Sequence, residues 1–318
     1  MRRAVLTLIL ACGAFVAVSA TPSTADAPNS CSGASTSSSL NVWHKDSISS
    51  AVDVDWYRFT MTSNRWALIT LGGLSANLAL GLYDSSCRLI VASDHASNRF
   101  EQIYRAFASG HYFVRVSGDS GATSGYSIRF VPLSTGTHVL STHAYPQYRQ
   151  LYIDGEVLNN SSEPIFYRWT TVTFYNAAGS VIATSDGPGF AQPYAGARGR
   201  VPLDGGVTAP ATYARYRVNV VSEAVGTYPA PPKMAITSSP TWTDTPGRAH
   251  FPGSITNESP ATEFLHAVCV TVYDAYGQVR YVGQGGIEPS QLAPHQTGGY
   301  DAQVPSAAGV NASARIFC

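Results

Sequence analysis

The chain has 318 residues, enough for two or three domains of ordinary size, and 44% of them are hydrophobic, as in a globular protein. Its 20 Lys and Arg balance its 20 Asp and Glu, so the basic excess that nucleic-acid binding normally requires is absent. Charged residues make up only 13% of the chain, about half the usual share. We therefore expect an extracellular protein with a hydroxyl-rich surface and no nucleic-acid partner.

Residues 1–20 are predicted to be a secretory signal peptide. Arg2 and Arg3 precede an apolar stretch over 4–18, and Val18-Ser19-Ala20 offers a cleavage site with small residues. An uncleaved membrane anchor and lipoprotein processing at Cys12 are the alternatives. The apolar stretch is short for a membrane span of about 20 residues, which favours cleavage. We expect a secreted protein without a transmembrane segment in the mature chain.

Residues 21–40 are rich in Ser, Thr, Ala, Pro and Gly. This composition cannot bury a core and predicts a flexible leader.

Removal of the signal peptide leaves four cysteines, which permit three disulfide connectivities. The order of the domains favours Cys31–Cys87 and Cys269–Cys318, because each pair then lies within one domain. No two cysteines have C-x-x-C spacing. A metal or nucleophilic site built on cysteine is therefore not favoured.

Residues 41–133 predict a β-sandwich. Short segments with period-two hydrophobicity alternate with Gly, Asp and Ser turns, and no segment of the chain has the pattern of an amphipathic helix. The predicted strands cover 56–59, 66–71, 78–83, 89–91, 111–116 and 126–131.

This segment resembles the bacterial pre-peptidase C-terminal domain. The matching blocks are Asp53-x-Asp55-Trp56-Tyr57-x-Phe59, Leu78-x-Leu80-x-Leu82-Tyr83-Asp84, Gly110-x-Tyr112-x-Val114-x-Val116 and Gly125-Tyr126. The resemblance implies a jelly-roll β-sandwich that serves exported proteins as a non-catalytic binding or targeting accessory, in some cases to collagen or chitin.

The resemblance also implies a calcium site in some members, built from acidic residues of the leader and the aspartates before the aromatic block. The matching aspartates here are Asp53 and Asp55. In the leader, residues 27–44 contain no acidic residue. Calcium takes six to eight oxygen ligands. The alternative, which the residues favour, is that both aspartates are turn and strand-entry residues. No cofactor other than calcium is a candidate.

The second half of the chain contains a duplicated domain. Gly155-Glu156-Val157-Leu158-Asn159 returns 98 positions later as Gly253-Ser254-Ile255-Thr256-Asn257, and residues 172–181 return as 270–279. Each copy, 137–222 and 233–318, is predicted to have a strand that ends in a turn-forming Asn and a later hairpin. Residues 134–144 predict a polar joint, the proline-rich stretch 223–232 a stiff linker, and Gly283, Gly285 and Gly286 a loop.

Both copies resemble the FxLYD family of small immunoglobulin-like sandwiches, through Gly155-x-Val157-x-Asn159 with Phe174-Tyr175-Asn176 and Gly253-x-Ile255-x-Asn257 with Val272-Tyr273-Asp274. The resemblance implies no activity. The predicted fold is all-β: a jelly-roll β-sandwich followed by two tandem immunoglobulin-like β-sandwiches.

The sequence lacks the common catalytic signatures. None of the eight histidines forms H-x-x-x-H or H-E-x-x-H, and there is no G-x-S-x-G segment. A dispersed Ser/His/Asp triad stays an open alternative, since triads assemble in space. Glu101 is predicted to be structural. Tyr145, Tyr148 and Tyr152 are either a stacking platform for sugars or peptides or the packing of an inter-domain joint.

We therefore expect a secreted, non-catalytic binding or accessory protein. The first domain would target an extracellular polysaccharide or protein surface, and the repeats would act as spacer and interaction modules. Contact would be made by exposed aromatic side chains or by strand addition at a sheet edge. The alternatives are a secreted hydrolase with a dispersed active site and a purely structural cell-envelope protein.

Overall fold

The protein is almost entirely antiparallel β-sheet, as predicted. The computed structural model describes residues 26–34, 37–190, 194–225, 232–265, 267–306 and 314–317. The described residues also form two short 3-10 helices, Cys31–Gly33 ahead of the first strand and Asp119–Gly121 between two later strands. The part of the chain described contains no helix with the length and hydrophobicity that a membrane crossing requires. The predicted signal peptide lies outside the described residues.

The first module is a sandwich of two four-stranded sheets, ordered β1-β8-β3-β6 and β2-β7-β4-β5. Residues alternate between core and outside, so Phe59, Ile69, Leu80, Val114 and Phe130 meet in the core with 1% exposure or less. The strands are β1 (Trp43–Ile48), β2 (Val54–Met61), β3 (Arg65–Gly72), β4 (Leu78–Tyr83), β5 (Leu89–Ser93), β6 (Glu101–Phe107), β7 (Gly110–Gly118) and β8 (Ser124–Leu133).

The described part of the leader packs on this sandwich, so the prediction of a flexible leader is wrong for residues 26–34. The Trp56 N–H donates to the Pro28 carbonyl, and Ala34 is buried. The predicted Cys31–Cys87 disulfide is confirmed, with a Cα–Cα distance of 6.2 Å. The amino-acid composition did not predict this order, because a covalent cross-link and backbone hydrogen bonds hold the segment in place of the apolar side chains that it lacks.

The second module covers the first repeat and consists of two sheets. One sheet contains β9, β10, β13, β15 and β16, and the other contains β11, β12, β14 and β17. The strands are β9 (Thr137–Gln147), β10 (Gln150–Asn159), β11 (Ile165–Tyr175), β12 (Val181–Asp186), β13 (Gly189–Phe190), β14 (Tyr194–Ala195), β15 (Arg200–Asp204), β16 (Gly206–Val207) and β17 (Arg215–Ala224).

The predicted polar joint over 134–144 is wrong, because β9 occupies most of it. This strand pairs with β10 along its whole length, from Thr137 opposite Asn159 to Gln147 opposite Gln150. Its side chains are half-buried on both faces, so it has no clear hydrophobic period. Residues 226–231 of the predicted linker lie outside the described residues, and β17 extends into its first positions.

The third module covers the second repeat, and most of its strands join in one sheet, β18-β20-β25-β23-β22-β26, with β19 on β20. Its strands are β18 (Met234–Ser238), β19 (Trp242–Thr243), β20 (Ala249–Asn257), β21 (Glu263–Phe264), β22 (Ala267–Tyr273), β23 (Val279–Glu288), β24 (Gln291–Leu292), β25 (Thr297–Val304) and β26 (Ala314–Phe317). Cys269 of β22 is a half-cystine, whereas Cys318 lies outside the described residues.

The predicted loop at Gly283–Gly286 is wrong, since these residues lie inside β23. In the first repeat the matching segment is divided at Gly187-Pro188 into two strands, β12 and β13, because proline cannot donate a hydrogen bond to a strand ladder. Gly286 replaces that proline in the second repeat, so one long strand pairs with both β22 and β25. A Cβ at Gly285 would lie 2.5 Å from the Ala302 nitrogen, so glycine here serves close backbone approach.

The duplicated asparagines organise the same turn in both repeats. Asn159 and Asn257 are fully buried. The side-chain amide of Asn159 donates to the Glu163 and Ala195 carbonyls, and its oxygen accepts from the Ser161 N–H. Asn257 makes the equivalent bonds to Ala261, Leu292 and Ser259. The predicted hairpins after β11 and β22 are also present.

The three modules have separate cores but pack against one another. Phe100 of the first sandwich contacts Tyr273, Val279 and Val282 of the second repeat. A second small cluster joins residues of the first sandwich to the first repeat: Leu68, Leu133 and Leu158. The turn after β22 lies at a junction of all three modules, because its Ala275 carbonyl accepts from the Gly73 N–H of the first sandwich and the Val279 N–H that follows it donates to the Ser141 hydroxyl of the first repeat.

Candidate metal centre and aromatic hairpin

Three aspartates meet where the leader joins the first sandwich. Carboxylate oxygens of Asp26, Asp53 and Asp55 lie within 4.8 Å of one another. The leader is held there because Asn29 Oδ1 accepts from the Val54 N–H at 2.7 Å. The sequence pattern predicted Asp53 and Asp55 but not Asp26, which directly precedes residues 27–44, a stretch without acidic residues.

Asp55 is the second residue of β2 and lies at the entry of this strand. It is the first inward-facing residue of β2, above Tyr57 and Phe59, and it is fully buried. One of its oxygens accepts from the Tyr126 hydroxyl at 2.5 Å, whereas Oδ1 has no hydrogen-bond partner in the described structure. Strand alternation therefore places a carboxylate at the end of the apolar core.

The electrostatics of this cluster favour a cation. Burial raises the pKa of Asp55 to about 7, and the negative charges of Asp46, Asp53 and Asp26 add to the rise against the opposing Tyr126 hydrogen bond. Burial and Asp53 likewise raise the pKa of Asp26. A proton or a bound cation would relieve the repulsion between these groups.

The three carboxylates are donors of the kind that calcium binds, and they offer three of the six to eight oxygens that it takes. Calcium–oxygen distances of about 2.4 Å allow two ligands of one ion to lie up to about 4.8 Å apart, and the three carboxylates each place an oxygen within 4.8 Å of the others. Asp53 Oδ2 is occupied by the N–H and hydroxyl of Ser49, whereas the buried Oδ1 is unpartnered in the described structure. Asp53 and Asp55 thus each present one buried oxygen without a donor, as a hard cation requires.

The three tyrosines named by the sequence come together on the β9–β10 hairpin. Tyr145 and Tyr152 are cross-strand partners with ring centroids 6.0 Å apart. Tyr148 lies in the turn, 79% exposed, and its ring meets Tyr152 edge-on. Tyr145 packs on Tyr281 of the second repeat, as expected for an inter-domain joint. Tyr148 is open to solvent, as expected for a stacking platform.

A buried carboxyl pair lies beneath this hairpin. Asp154 is fully buried and accepts from the Tyr145 hydroxyl and from the Val282 N–H of the second repeat. Burial and the neighbouring Asp204 raise the pKa of Asp154 to about 8, and burial raises that of Asp204. A proton shared by the two carboxyls would also satisfy Asp154 Oδ1, which has no other partner among the described atoms. The sequence carried no signal for this pair.

A hydrogen-bonded group of Ser93, His95 and Glu101 does not have the geometry of a catalytic triad. Ser93 donates to Glu101 Oε2 at 2.5 Å, and His95 Nδ1 lies 2.6 Å from the same oxygen. The serine hydroxyl is thus bonded to the carboxylate, whereas a nucleophilic serine must be bonded to the histidine. Glu101 is fully buried and ties the loop after β5 to β6, which is a structural arrangement.

A polar cleft of about 550 Å³ separates the edge strands β9 and β17 of the first repeat. In the described structure β9 pairs only with β10 and β17 only with β11. Each strand therefore leaves one row of backbone groups open beside the cleft, as strand addition would need.

Comparison with protein-family models and with curated proteins finds no match.

Proposed function

We propose that the chain is a secreted, non-catalytic binding protein whose first sandwich is organised by calcium and targets an extracellular polymer or protein surface. The repeats act as spacer and interaction modules. The tyrosine hairpin supplies an exposed aromatic contact, and the β9–β17 cleft is the second candidate contact.

The Asp26–Asp53–Asp55 cluster carries this proposal. A leader residue and two sandwich residues converge on one point, and two buried oxygens there have no donor in the described structure. A calcium ion would neutralise the cluster and fix the leader on the sandwich. Its availability outside the cell suits an exported binding module, whose calcium sites typically bind at about 10⁻⁴–10⁻³ M.

Calcium should therefore stabilise the protein. At a calcium concentration of 100 times the dissociation constant, the gain is about 2.7 kcal/mol, or an increase of roughly 10–20 °C in the melting temperature of a domain of this size. Differential scanning calorimetry of the full chain in calcium and in EDTA measures it. Asp55→Asn should lose the response, and Asp94→Asn, an exposed aspartate of the same sandwich, should keep it. An identical response in both variants would contradict the site.

Binding is tested with the full chain by pull-down on collagen, chitin, peptidoglycan and cellulose, with calcium and with EDTA. We expect retention on at least one polymer, reduced by EDTA. Tyr148→Ala should weaken retention if the hairpin makes the contact, and Trp169→Ala is the matched control, because Trp169 is a comparably exposed aromatic in the other sheet of the same repeat. Retention on none of the four polymers would refute the targeting proposal.

A further inference from the structure

A cavity of about 310 Å³ lies where the three modules meet. Its floor is the outer face of the sheet β1-β8-β3-β6. One cross-strand row runs over that floor, because Trp43 pairs with Arg129, Arg129 with Thr70, and Thr70 with Gln102. The volume is at the lower end for ligand pockets and suits one small ring-bearing molecule.

The walls and roof come from the two repeats. Leu140 of β9 and Arg200 of β15 line one side, and the turn residues 276–278 of the second repeat close the top. The turn is held in place because the Gly73 N–H donates to the Ala275 carbonyl at 2.8 Å. The ring of Tyr276 meets that of Trp43 edge-on at 5.9 Å. The cavity is therefore preformed, with an aromatic corner.

The charges that line this cavity do not balance. Arg200 pairs with Glu156 at 2.9 Å, and Glu156 also accepts from the buried Tyr273 hydroxyl. Arg129 forms no ion pair among the described residues. Its guanidinium lies 5.9 Å from the Trp43 ring, and its buried Nε has no hydrogen-bond partner. One positive charge is thus in excess at this junction.

A partly buried guanidinium without a carboxylate is unusual, since buried charges are normally paired. Burial lowers the pKa of Arg129, which is the cost of removing the cation from water. A bound anion would offset that cost by pairing with the guanidinium group. Arginine presents a planar fork that matches a carboxylate. The single excess charge matches a monoanion better than a phosphate monoester, which carries a charge of about −1.5 to −2.

We propose that this inter-module cavity binds a small carboxylate with an attached ring, its anionic group on Arg129 and its ring against Trp43 and Tyr276. The shared chemistry is found in sugar acids and in aromatic acids. This site is independent of the calcium cluster, so either can fail without the other.

Isothermal titration calorimetry of the full chain at constant calcium tests the proposal. The probes are sodium glucuronate and sodium benzoate, with glucose and benzyl alcohol as their neutral counterparts and acetate as the carboxylate without a ring. We expect a dissociation constant of about 1 mM or below for at least one ring-bearing acid, as for fragment-sized ligands. Binding should be at least tenfold weaker for its neutral counterpart and for acetate. Binding of glucuronate would indicate a sugar acid as the ligand, and binding of benzoate an aromatic acid.

Arg129→Gln should weaken binding of the acid at least tenfold, while Arg65→Gln, which changes an exposed arginine of β3, should leave it unchanged. The melting temperature of Arg129→Gln without ligand should equal or exceed that of the wild type, because an unpaired buried charge is removed. In the wild type, the indole N–H resonance of Trp43, assigned with Trp43→Phe, should shift on addition of the acid. Equal affinity for acid and neutral counterpart, unchanged affinity of Arg129→Gln, or an unmoved Trp43 resonance would each overturn the proposal.

Discussion

The buried carboxyl pair at the joint between the repeats should make the stability of the protein depend on pH. Asp154 has no access to water, and its pKa is raised from 3.8 to about 8. The folded protein therefore holds a proton that the unfolded chain releases between these two values. The free energy of unfolding falls as the pH rises through this interval, by at most about 1.4 kcal/mol per pH unit.

Between pH 5.5 and 7.5 the loss amounts to roughly 2–3 kcal/mol for one shared proton. Asp154→Asn should abolish it, because the Asn oxygen can still accept from the Val282 N–H while its amide donates permanently to Asp204. The variant should match the wild type at pH 5.5 and exceed it at pH 7.5. The full stabilising effect of the proton is present only below about pH 4, the pKa of the unfolded carboxyl.

Urea unfolding at a series of pH values measures this difference. Saturating calcium keeps the Asp26–Asp53–Asp55 cluster in one state throughout. Asp186→Asn, a change at an exposed aspartate of the same repeat, is the control and should follow the wild-type profile. Parallel pH profiles for wild type and Asp154→Asn would show that Asp154 is ionised in the folded protein and that the reasoning is wrong.

Three further predictions concern buried polar groups and the cross-link. Asn257→Ala should destabilise the second repeat by roughly 3–5 kcal/mol, because two carbonyls and one N–H lose their partner; thermal unfolding measures it. Cys31→Ser with Cys87→Ser opens a loop that spans 56 residues and should lower the free energy of unfolding by about 4 kcal/mol, as measured by urea unfolding of the oxidised proteins. Glu156→Gln leaves the buried Arg200 without its carboxylate and should cost about 3–5 kcal/mol; faster limited proteolysis between the modules is the readout, and an unchanged rate would contradict it.

Strands with a clear period or a duplicated motif could be predicted from the sequence. The segment from Trp56 to Phe59 alternates and ends up in β2, and the Asn159/Asn257 pair marks the same turn twice. β9 could not be found this way, because it is half-buried on both faces and shows no alternation. The leader was missed because its burial depends on Cys87, which lies more than 50 residues away.

The candidate site could be predicted only in part. Asp53 and Asp55 stand beside the aromatic block and are recognisable, but Asp26 joins them only through the path of the leader. The aromatic hairpin shows the same division. Tyr148 at its tip was predicted from the sequence, whereas the buried Asp154 was not. A tyrosine-rich segment is visible in a sequence, whereas the pairing of Asp154 with Asp204 depends on two strands that lie side by side.

The sequence by itself determined the alternation within strands, the turn residues and the duplication at an offset of 98 residues. Each of these features depends only on the order of residues along the chain. Only the tertiary structure decided how the three modules pack against one another, where the three aspartates converge, and that Arg129 lines the inter-module cavity without a carboxylate. The physical reason is that charge balance and burial depend on distances in space. The chain brings Trp43, Arg129 and Tyr276 together from segments that no local pattern connects.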